Sequence, residues 1–105
     1  MTEFIVVLIT ASKEDEAARI AQELVDSRLA ACVNIVKGIR SIYRWKGKRE
    51  DEAEVLMVVK TRRDLFDALK KRVKELHSYS IPEIIALPVI DGSEEYLKWL
   101  HEETG

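Results

Sequence analysis

The sequence predicts an α+β domain of the ferredoxin-like class: a four-stranded antiparallel sheet with two helices on one face. Two observations support this prediction. Strand-like and helix-like segments follow one another in the order β-α-β-β-α-β, with one more helix at the end, and the middle strands form a long hairpin. A chain of 105 residues with 47% apolar content can also bury its own core. We therefore expect residues 1–105 to form a single domain.

The first two elements are a buried strand and an amphipathic helix. Residues 4–10 (FIVVLIT) are a continuous apolar and β-branched run, which is typical of a central strand buried on both faces. Apolar residues then recur at helical spacing and predict a helix over about 13–28. Ser12 and Asp15 have the spacing of a capping box, and further acids favour the positive end of this helix.

A long hairpin follows. Residues 30–45 form a β-branched stretch in which Gly38 is the candidate for a bend or bulge. The pattern alternates towards the end of this stretch, which places Tyr43 and Trp45 on the same face. The polar segment 46–51 (KGKRED) predicts the turn, and the residues after it alternate again. We expect the tip of this hairpin to extend past the body of the domain.

The second helix and the fourth strand come next. Residues 61–76 repeat apolar side chains at helical spacing, and Thr61 and Asp64 have a second capping-box spacing. Residues 83–90 (EIIALPVI) predict the fourth strand. Pro88 cannot donate a backbone hydrogen bond, so it fits an edge or the end of that strand.

The last element is a short helix within residues 91–103. Ser93 or Asp91 is positioned to cap it. We expect three of its side chains to face inward: Tyr96, Leu97 and Leu100. Trp99 is expected to pack with the same helix.

Two helices can cover only one face of a four-stranded sheet. The other face would present apolar side chains to water, together with Tyr43 and Trp45. Such a patch is larger than soluble monomers usually expose. The sequence therefore predicts a homo-oligomer that associates through this face and the hairpin.

Charge and composition exclude several classes of function. The 17 basic and 19 acidic residues leave a net charge of −2, so the chain has no net positive charge that would attract nucleic acid. No apolar run reaches the ~18 residues of a membrane span. No basic segment precedes the first apolar run, and Cys32 is the single cysteine, so we expect a cytoplasmic protein. The charged content of 34%, with one asparagine and one glutamine, is typical of a thermophilic source.

Three stretches together resemble the CutA family of divalent-cation tolerance proteins: residues 28–48 (RLAACVNIVKGIRSIYRWKGK), 54–61 (EVLMVVKT) and 76–100 (LHSYSIPEIIALPVIDGSEEYLKWL). The resemblance implies a very stable homotrimer in which the long hairpin wraps neighbouring subunits. It implies a non-enzymatic role in tolerance to copper and other divalent cations, with no cofactor required for the fold. The trimer is also similar to the PII signalling proteins, which bind small effectors between subunits.

The chain departs from the family pattern at three positions. Ser78 stands where the family motif has its first proline. Leu76 stands where some members carry a second histidine, and Ile9 stands where some carry a cysteine. Two donors that could ligate copper in those members are therefore missing here.

His77 has three interpretations. It could end a helix and form local hydrogen bonds, it could bind a metal ion together with Glu83, or it could act as a catalytic base. Transition-metal sites usually need three or four converging donors. The sequence offers only Cys32 and His101 besides His77 and carboxylates, and we expect Cys32 to be buried in the core and His101 to lie on the surface.

Aromatic residues suggest a second kind of site. Tyr43 and Trp45 either pack between subunits or form the walls of an inter-subunit pocket, to which Lys60, Tyr79 and Glu83 contribute polar groups. Such a pocket would suit a small anionic or zwitterionic effector. The basic cluster at 46–49 is expected to be solvated, because the acids that follow it neutralise it.

Other activities of this fold lack their motifs here. A metallochaperone would need paired cysteines after the first strand, and an acylphosphatase-like enzyme would need a phosphate-binding loop with an arginine. The segment 9–16 (ITASKEDE) has neither. Three functions stay open: a non-enzymatic trimer linked to metal tolerance, a PII-like effector sensor, and a trimeric scaffold.

Overall fold

The computed structural model describes residues 3–105, which form one four-stranded sheet and three α-helices. In chain order the elements are β1 (Phe4–Ala11), α1 (Glu14–Asp26), β2 (Cys32–Trp45), β3 (Lys48–Arg62), α2 (Phe66–Leu76), β4 (Ile84–Pro88) and α3 (Glu94–Glu103). The sheet is antiparallel throughout and has the strand order β2-β3-β1-β4. This is the ferredoxin-like arrangement predicted from the sequence, with α3 as the additional helix. In the part of the chain described, no helix is long and apolar enough to cross a membrane.

The core lies between one face of the sheet and the helices α1 and α2. Because side chains alternate along a strand, every second residue of β1 and β3 points to this layer. The apolar faces of α1 and α2, which the helical spacing of their residues predicts, pack against these strand side chains. The most deeply buried members are Val7, Ile9, Met57 and Val59 from the sheet and Ile20, Leu24, Leu69 and Val73 from the helices.

Both predicted capping boxes are wrong. Lys13 occupies the N-cap of α1 without a side-chain cap, and the Ser12 hydroxyl instead donates to the Glu16 carboxylate at 3.4 Å. Thr61 still belongs to β3, and its hydroxyl donates to the carbonyl oxygen of Leu29 at 2.7 Å. The sheet hydrogen bonds extend this strand to Arg62, so the second helix begins later, after a short 3-10 turn. In both places another acceptor uses the hydroxyl that could have capped a helix: a side chain one turn away for Ser12 and a backbone carbonyl distant in sequence for Thr61.

The hairpin is longer and its turn tighter than predicted. β2 and β3 pair up to Trp45 and Lys48, so the turn is two residues rather than 46–51. Lys46 and Gly47 have φ angles of 50° and 79°, which is the arrangement of a tight hairpin turn. Gly38 has a φ of 74° and lies in the register shift of β2, so the predicted bulge is confirmed.

Replacing Gly47 with alanine is expected to lower the free energy of unfolding by about 1 kcal/mol, because the left-handed region is unfavourable for residues with a Cβ. That Cβ would meet no described atom within 4 Å, chain neighbours aside, so conformation alone sets the cost. The matched control, Lys46→Gly, should be neutral or stabilising, because Lys46 already has a positive φ. Urea midpoints at one protein concentration compare the two. Equal stability of Gly47→Ala and the parent would contradict the turn geometry.

The C-terminal elements differ from the prediction in detail. β4 is shorter than 83–90 and ends at Pro88, at an edge of the sheet, as expected of a proline. Ser93 is the N-cap of α3 but makes no side-chain capping bond. Leu100 is buried, whereas Tyr96 is exposed and stacks on Trp99 at 5.4 Å. Tyr96 therefore faces inward only in part: burial and the nearby Cys32 side chain of β2 raise its pKa, and its ring also contacts Trp99 one turn away.

The second face of the sheet is apolar and mostly uncovered. Its side chains come from all four strands and alternate with the core residues: Val6, Leu8, Val36, Leu56, Val58, Ile85 and Leu87. We call this surface the open face. Val36 and Ile85, on opposite edges, are 44% and 50% exposed, and α3 reaches only the end near Phe4, where His101 contacts that ring. An uncovered apolar face, as expected from the sequence, is confirmed.

Candidate functional site

His77 is a buried structural histidine in this chain. It follows the last residue of α2, and its side chain is fully buried. Its Nε2 lies 2.7 Å from the carbonyl oxygen of Thr10, and its Nδ1 lies 3.0 Å from the backbone nitrogen of Tyr79. A carbonyl only accepts and a backbone N–H only donates, so the ring is neutral and carries its proton on Nε2. Both nitrogens therefore have protein partners, and the ring joins the end of β1 to the segment after α2.

Glu16 supports the same junction from α1. Its carboxylate accepts the backbone N–H of Ser78 at 2.8 Å and lies 4.0 Å from His77 Nδ1. Burial alone would raise the pKa of Glu16, but hydrogen bonds from Ser78, with a smaller contribution from the Ser12 hydroxyl, leave that pKa below its usual value. A proline at position 78, as in the family motif, would have no N–H to give. The backbone N–H of Ser78 thus donates a hydrogen bond to Glu16 that a proline at this position could not make.

The lowered pKa of Glu16 predicts a specific loss of stability in acid. The unfolded chain takes up this proton first, so the stabilisation is present above the usual pKa of 4.5 and is lost as the pH falls through the folded value. Glu16→Gln should be less stable near neutrality by about 2 kcal/mol, and it should lose less stability between pH 6 and 3. Urea unfolding across that range measures both. Glu95→Gln, an exposed change, serves as control; a parent and Glu16→Gln with parallel pH profiles would contradict this role.

Next to this junction the half of the hairpin nearest its turn and the segment 79–83 border a cleft of about 800 Å³, here called the hairpin cleft. Four of the residues expected to form a pocket line it: Tyr43, Trp45, Tyr79 and Glu83. The aromatic residues that the sequence grouped therefore line one cleft of the single chain, and a pocket between subunits stays a prediction. A cleft of this size is within the range that holds small ligands.

Lys60 does not line the hairpin cleft. Its ammonium group donates to the side-chain oxygen of Asn34, on the face of the sheet away from α1 and α2. Lys60 lies six residues beyond Glu54 along β3, or about 20 Å of strand, while the cleft is at the other end. Lys60 is therefore not part of this cleft within one chain, and its contribution to a pocket between subunits stays a prediction.

Three glutamates of β3 were missed by the sequence reasoning. Glu50, Glu52 and Glu54 alternate along the strand and line the cleft with Glu83. Their signal in the sequence is EDEAE at 50–54, a period of two that marks one face of a strand. The expected neutralisation of the hairpin tip concerns the other face, where Asp51 pairs with Arg40.

Two tyrosines hold these carboxylates. The Tyr79 hydroxyl donates to Glu54 Oε2 at 2.6 Å, and the Tyr43 hydroxyl donates to Glu52. The hydrogen bond to Glu52 raises the pKa of Tyr43 to about 12. Burial and the bond to Glu54 raise the pKa of Tyr79 as well. Both phenols therefore stay protonated at neutral pH, and each donates its proton in a hydrogen bond to a glutamate carboxylate.

The residues of one described chain do not fit a copper site. No three histidines, cysteines or carboxylates within residues 3–105 converge to hold a metal ion. His77 has a protein partner at each ring nitrogen, so a metal would have to displace one of them. Cys32 is half-buried beside Asn34 and does not belong to the core, so its predicted burial there is wrong: its position in β2 points it to the open face. His101 is on the surface beside Glu3, as expected.

Comparison with known proteins agrees with this geometry. The family model described as CutA1 divalent ion tolerance protein matches residues 5–103. A divalent-cation tolerance protein CutA of Thermus thermophilus is 56% identical over 100 residues, which cover 95% of this chain and 97% of that protein. Protein CutA 1, chloroplastic, of rice (Oryza sativa subsp. japonica) is 47% identical over 95% of this chain, and the match spans only 56% of the rice protein.

A solved structure shows the same fold. The divalent cation tolerance protein (Cut A1) from Thermus thermophilus superimposes with a TM-score of 0.95 and 55% sequence identity, and the match covers 97% of this chain and 99% of that one. Agreement of this extent includes the sheet order, the long hairpin and the extra helix. The chain belongs to the CutA1 divalent ion tolerance protein family.

Proposed function

We propose that this protein is a non-enzymatic homotrimer that acts in the cytoplasm in tolerance to divalent metal ions such as copper. Membership in the CutA1 family, over residues 5–103, is the observation that carries this proposal. The Thermus relative is named a divalent-cation tolerance protein, which supports the metal-tolerance part of this proposal. No nucleophile–base pair or phosphate-binding loop in the sequence favours an enzymatic role.

The open face supports the trimeric state. It spans four strands and is formed mainly by Val, Leu and Ile side chains, with Cys32, Asn34 and Lys60 at one end; several of the apolar side chains are about half exposed in one chain. Burial of apolar surface contributes roughly 25 cal/mol per Å², so a second and third copy would gain most by packing here. Assembly around this face would leave the hairpin free to contact its neighbours.

Direct copper binding through His77 and Glu83 is the part of the proposal that needs its own test. Within one chain the donor set is incomplete, so a copper ion would need donors from more than one subunit. Calorimetric titration of the intact protein with Cu²⁺ and Zn²⁺ should be run on the parent, Glu83→Gln and the control Glu95→Gln. Micromolar binding lost only in Glu83→Gln would support ligation in the cleft. Binding unchanged by Glu83→Gln would reject that ligand, and no binding at all would reject direct metal ligation.

The hairpin cleft favours a second candidate function, the binding of a small effector. Its volume of about 800 Å³ and its aromatic walls suit an organic ligand better than a bare ion. Thermal shifts of the intact protein across a panel of metabolites test this candidate, because a ligand that binds the native state raises the unfolding temperature. A panel without a single shift would leave the metal-tolerance proposal standing alone.

A further inference from the structure

The connection between β4 and α3 contains the single Asp-Gly pair of the sequence, Asp91–Gly92. Among aspartates, one followed by glycine is the most prone to rearrange into isoaspartate, because glycine has no Cβ to hinder attack of its nitrogen on the carboxyl carbon. Residues 89–93 have no regular secondary structure, and both members of the pair are exposed. The pair lies outside the hairpin and beyond the strand residues that define the open face.

The local geometry brings the two reacting groups of this pair together. The backbone N–H of Gly92 donates to Asp91 Oδ1 at 2.8 Å. The carboxyl carbon is one bond beyond that oxygen, so it lies close to the nitrogen that attacks it. Gly92 does not have the positive φ of Gly38 and Gly47, so the backbone conformation does not require glycine here.

The other five aspartates are held by regular structure: Asp15, Asp26, Asp51, Asp64 and Asp67 lie in α1, in β3, in the 3-10 turn or in α2. Regular structure fixes the backbone angles that would have to change before the following nitrogen could reach the carboxyl carbon. After Asp26, for example, the N–H of Ser27 donates to the carbonyl oxygen of Glu23 at 3.0 Å. Asp91 therefore differs from these five in its neighbour and in its backbone.

The rearrangement needs only water and takes two steps. In the first, the Gly92 nitrogen forms a bond to Cγ of Asp91, and one carboxyl oxygen leaves as water with the amide proton and the carboxyl proton. The product is a five-membered succinimide. In the second, water adds to the ring and breaks one of the two bonds between the nitrogen and a carbonyl carbon. Cleavage at Cγ restores aspartate, and cleavage at the main-chain carbonyl carbon leaves isoaspartate.

Isoaspartate would alter a connection whose two ends are fixed. At one end the N–H of Val89 donates to the carbonyl oxygen of Phe4 at 3.0 Å, and at the other the carbonyl oxygen of Ser93 accepts the N–H of Leu97 at 2.9 Å. The main chain of isoaspartate runs through the side-chain carbon, so it is longer by one atom between these ends. The fully buried side chain of Leu100 holds α3 in place, and a longer connection strains that packing.

We propose that Asp91–Gly92 is a site of isoaspartate formation in the native protein, and that the modification loosens α3. The proposal concerns covalent ageing of the chain and is independent of metal tolerance and of effector binding.

Incubation of the intact protein at neutral pH, warm but below its unfolding transition, tests the proposal. Peptide mass spectrometry with electron-transfer fragmentation separates isoaspartate from aspartate at each position. We expect isoaspartate to accumulate at residue 91 at least about tenfold faster than at Asp26, and Gly92→Ala to slow it by a similar factor. The new Cβ would meet the side chain of Leu97 at 3.3 Å, which a small shift of that side chain accommodates.

Asp91→Glu is the matched variant, because it keeps the charge but would have to close a six-membered ring, which forms far more slowly. After the same incubation the urea midpoint of the parent should fall and that of Asp91→Glu should not. Asp26→Glu should age like the parent. A synthetic peptide of residues 87–96 gives the rate without the fold.

The possible results separate cleanly. Isoaspartate in the peptide but none in the native protein would overturn the proposal, since the fold would then protect the pair. Equal accumulation at Asp26 and Asp91 would overturn it in favour of general ageing. An incubated parent that carries isoaspartate at residue 91 with an unchanged urea midpoint would overturn the effect on α3.

Discussion

His77→Ala is expected to lower the free energy of unfolding by about 4 kcal/mol, the largest effect of any single side-chain truncation outside the apolar core. The substitution leaves the carbonyl oxygen of Thr10 and the N–H of Tyr79 without their partners, and each buried unpaired group costs roughly 1–3 kcal/mol. The space left by the ring adds a cavity term. Urea unfolding at a fixed protein concentration measures the difference.

The chain provides its own control, because it has one other histidine. His101 is about half exposed and contacts the carboxylate of Glu3 at 3.0 Å, so His101→Ala should change stability by less than about 0.5 kcal/mol. A chelator added to the parent protein should also have no effect. A His77→Ala variant as stable as His101→Ala would contradict the structural role of His77. A parent protein that a chelator destabilises would show that a bound metal ion contributes to its stability.

The fold could be predicted because its signals are periodic. Alternation in β3 and helical spacing in α1 and α2 define which faces are buried, and the burial of Met57, Leu24 and Val73 follows from them. Local capping signals failed where the hydroxyls had other acceptors: Ser12 donates to Glu16, four residues away, and Thr61 donates to the carbonyl oxygen of Leu29. Only the partner of Thr61 lies beyond the reach of a short-range sequence pattern.

The hairpin turn shows a related limit. Gly47 marks a turn, but a tight turn of two residues also needs a positive φ at Lys46, a residue type that seldom adopts it. The composition of 46–51 favoured a longer polar loop. Extensive pairing between β2 and β3 overrides that preference, because each added pair contributes hydrogen bonds that a loop would leave to water.

The candidate site was predicted in part. Period-two alternation gives the face on which a residue lies but not its distance along the strand, so it predicts that Tyr43 and Trp45 share a face but not that Lys60 lies far from the cleft. The same alternation separates Asp51 from Glu50 and Glu52, which charge counting along the chain had grouped together. Asp51 forms an ion pair with Arg40 on the neighbouring strand, and the order of charges along β3 does not reveal this pairing.

Val36→Asp and Ile85→Asp are each expected to dissociate the protein from three chain masses to one, 12.1 kDa. The two positions lie on opposite edges of the open face and are 44% and 50% exposed in a single chain. A carboxylate buried there loses its hydration without gaining a partner, which costs about 3 kcal/mol or more. In a closed ring of three subunits each substitution recurs at every interface, so the penalty is counted three times. Light scattering at micromolar protein gives the mass directly.

Val25→Asp is the matched control for this effect. Val25 lies on α1, away from the sheet, and is 41% exposed, so the same chemical change is made at nearly the same exposure. We expect this variant to keep the mass of the parent, because its carboxylate stays in water. If Val25→Asp dissociated the protein as well, added negative charge would be the cause and not the open face. A parent that already scatters as one chain would leave the apolar sheet face in water, and the assembly proposed for it would have no physical basis.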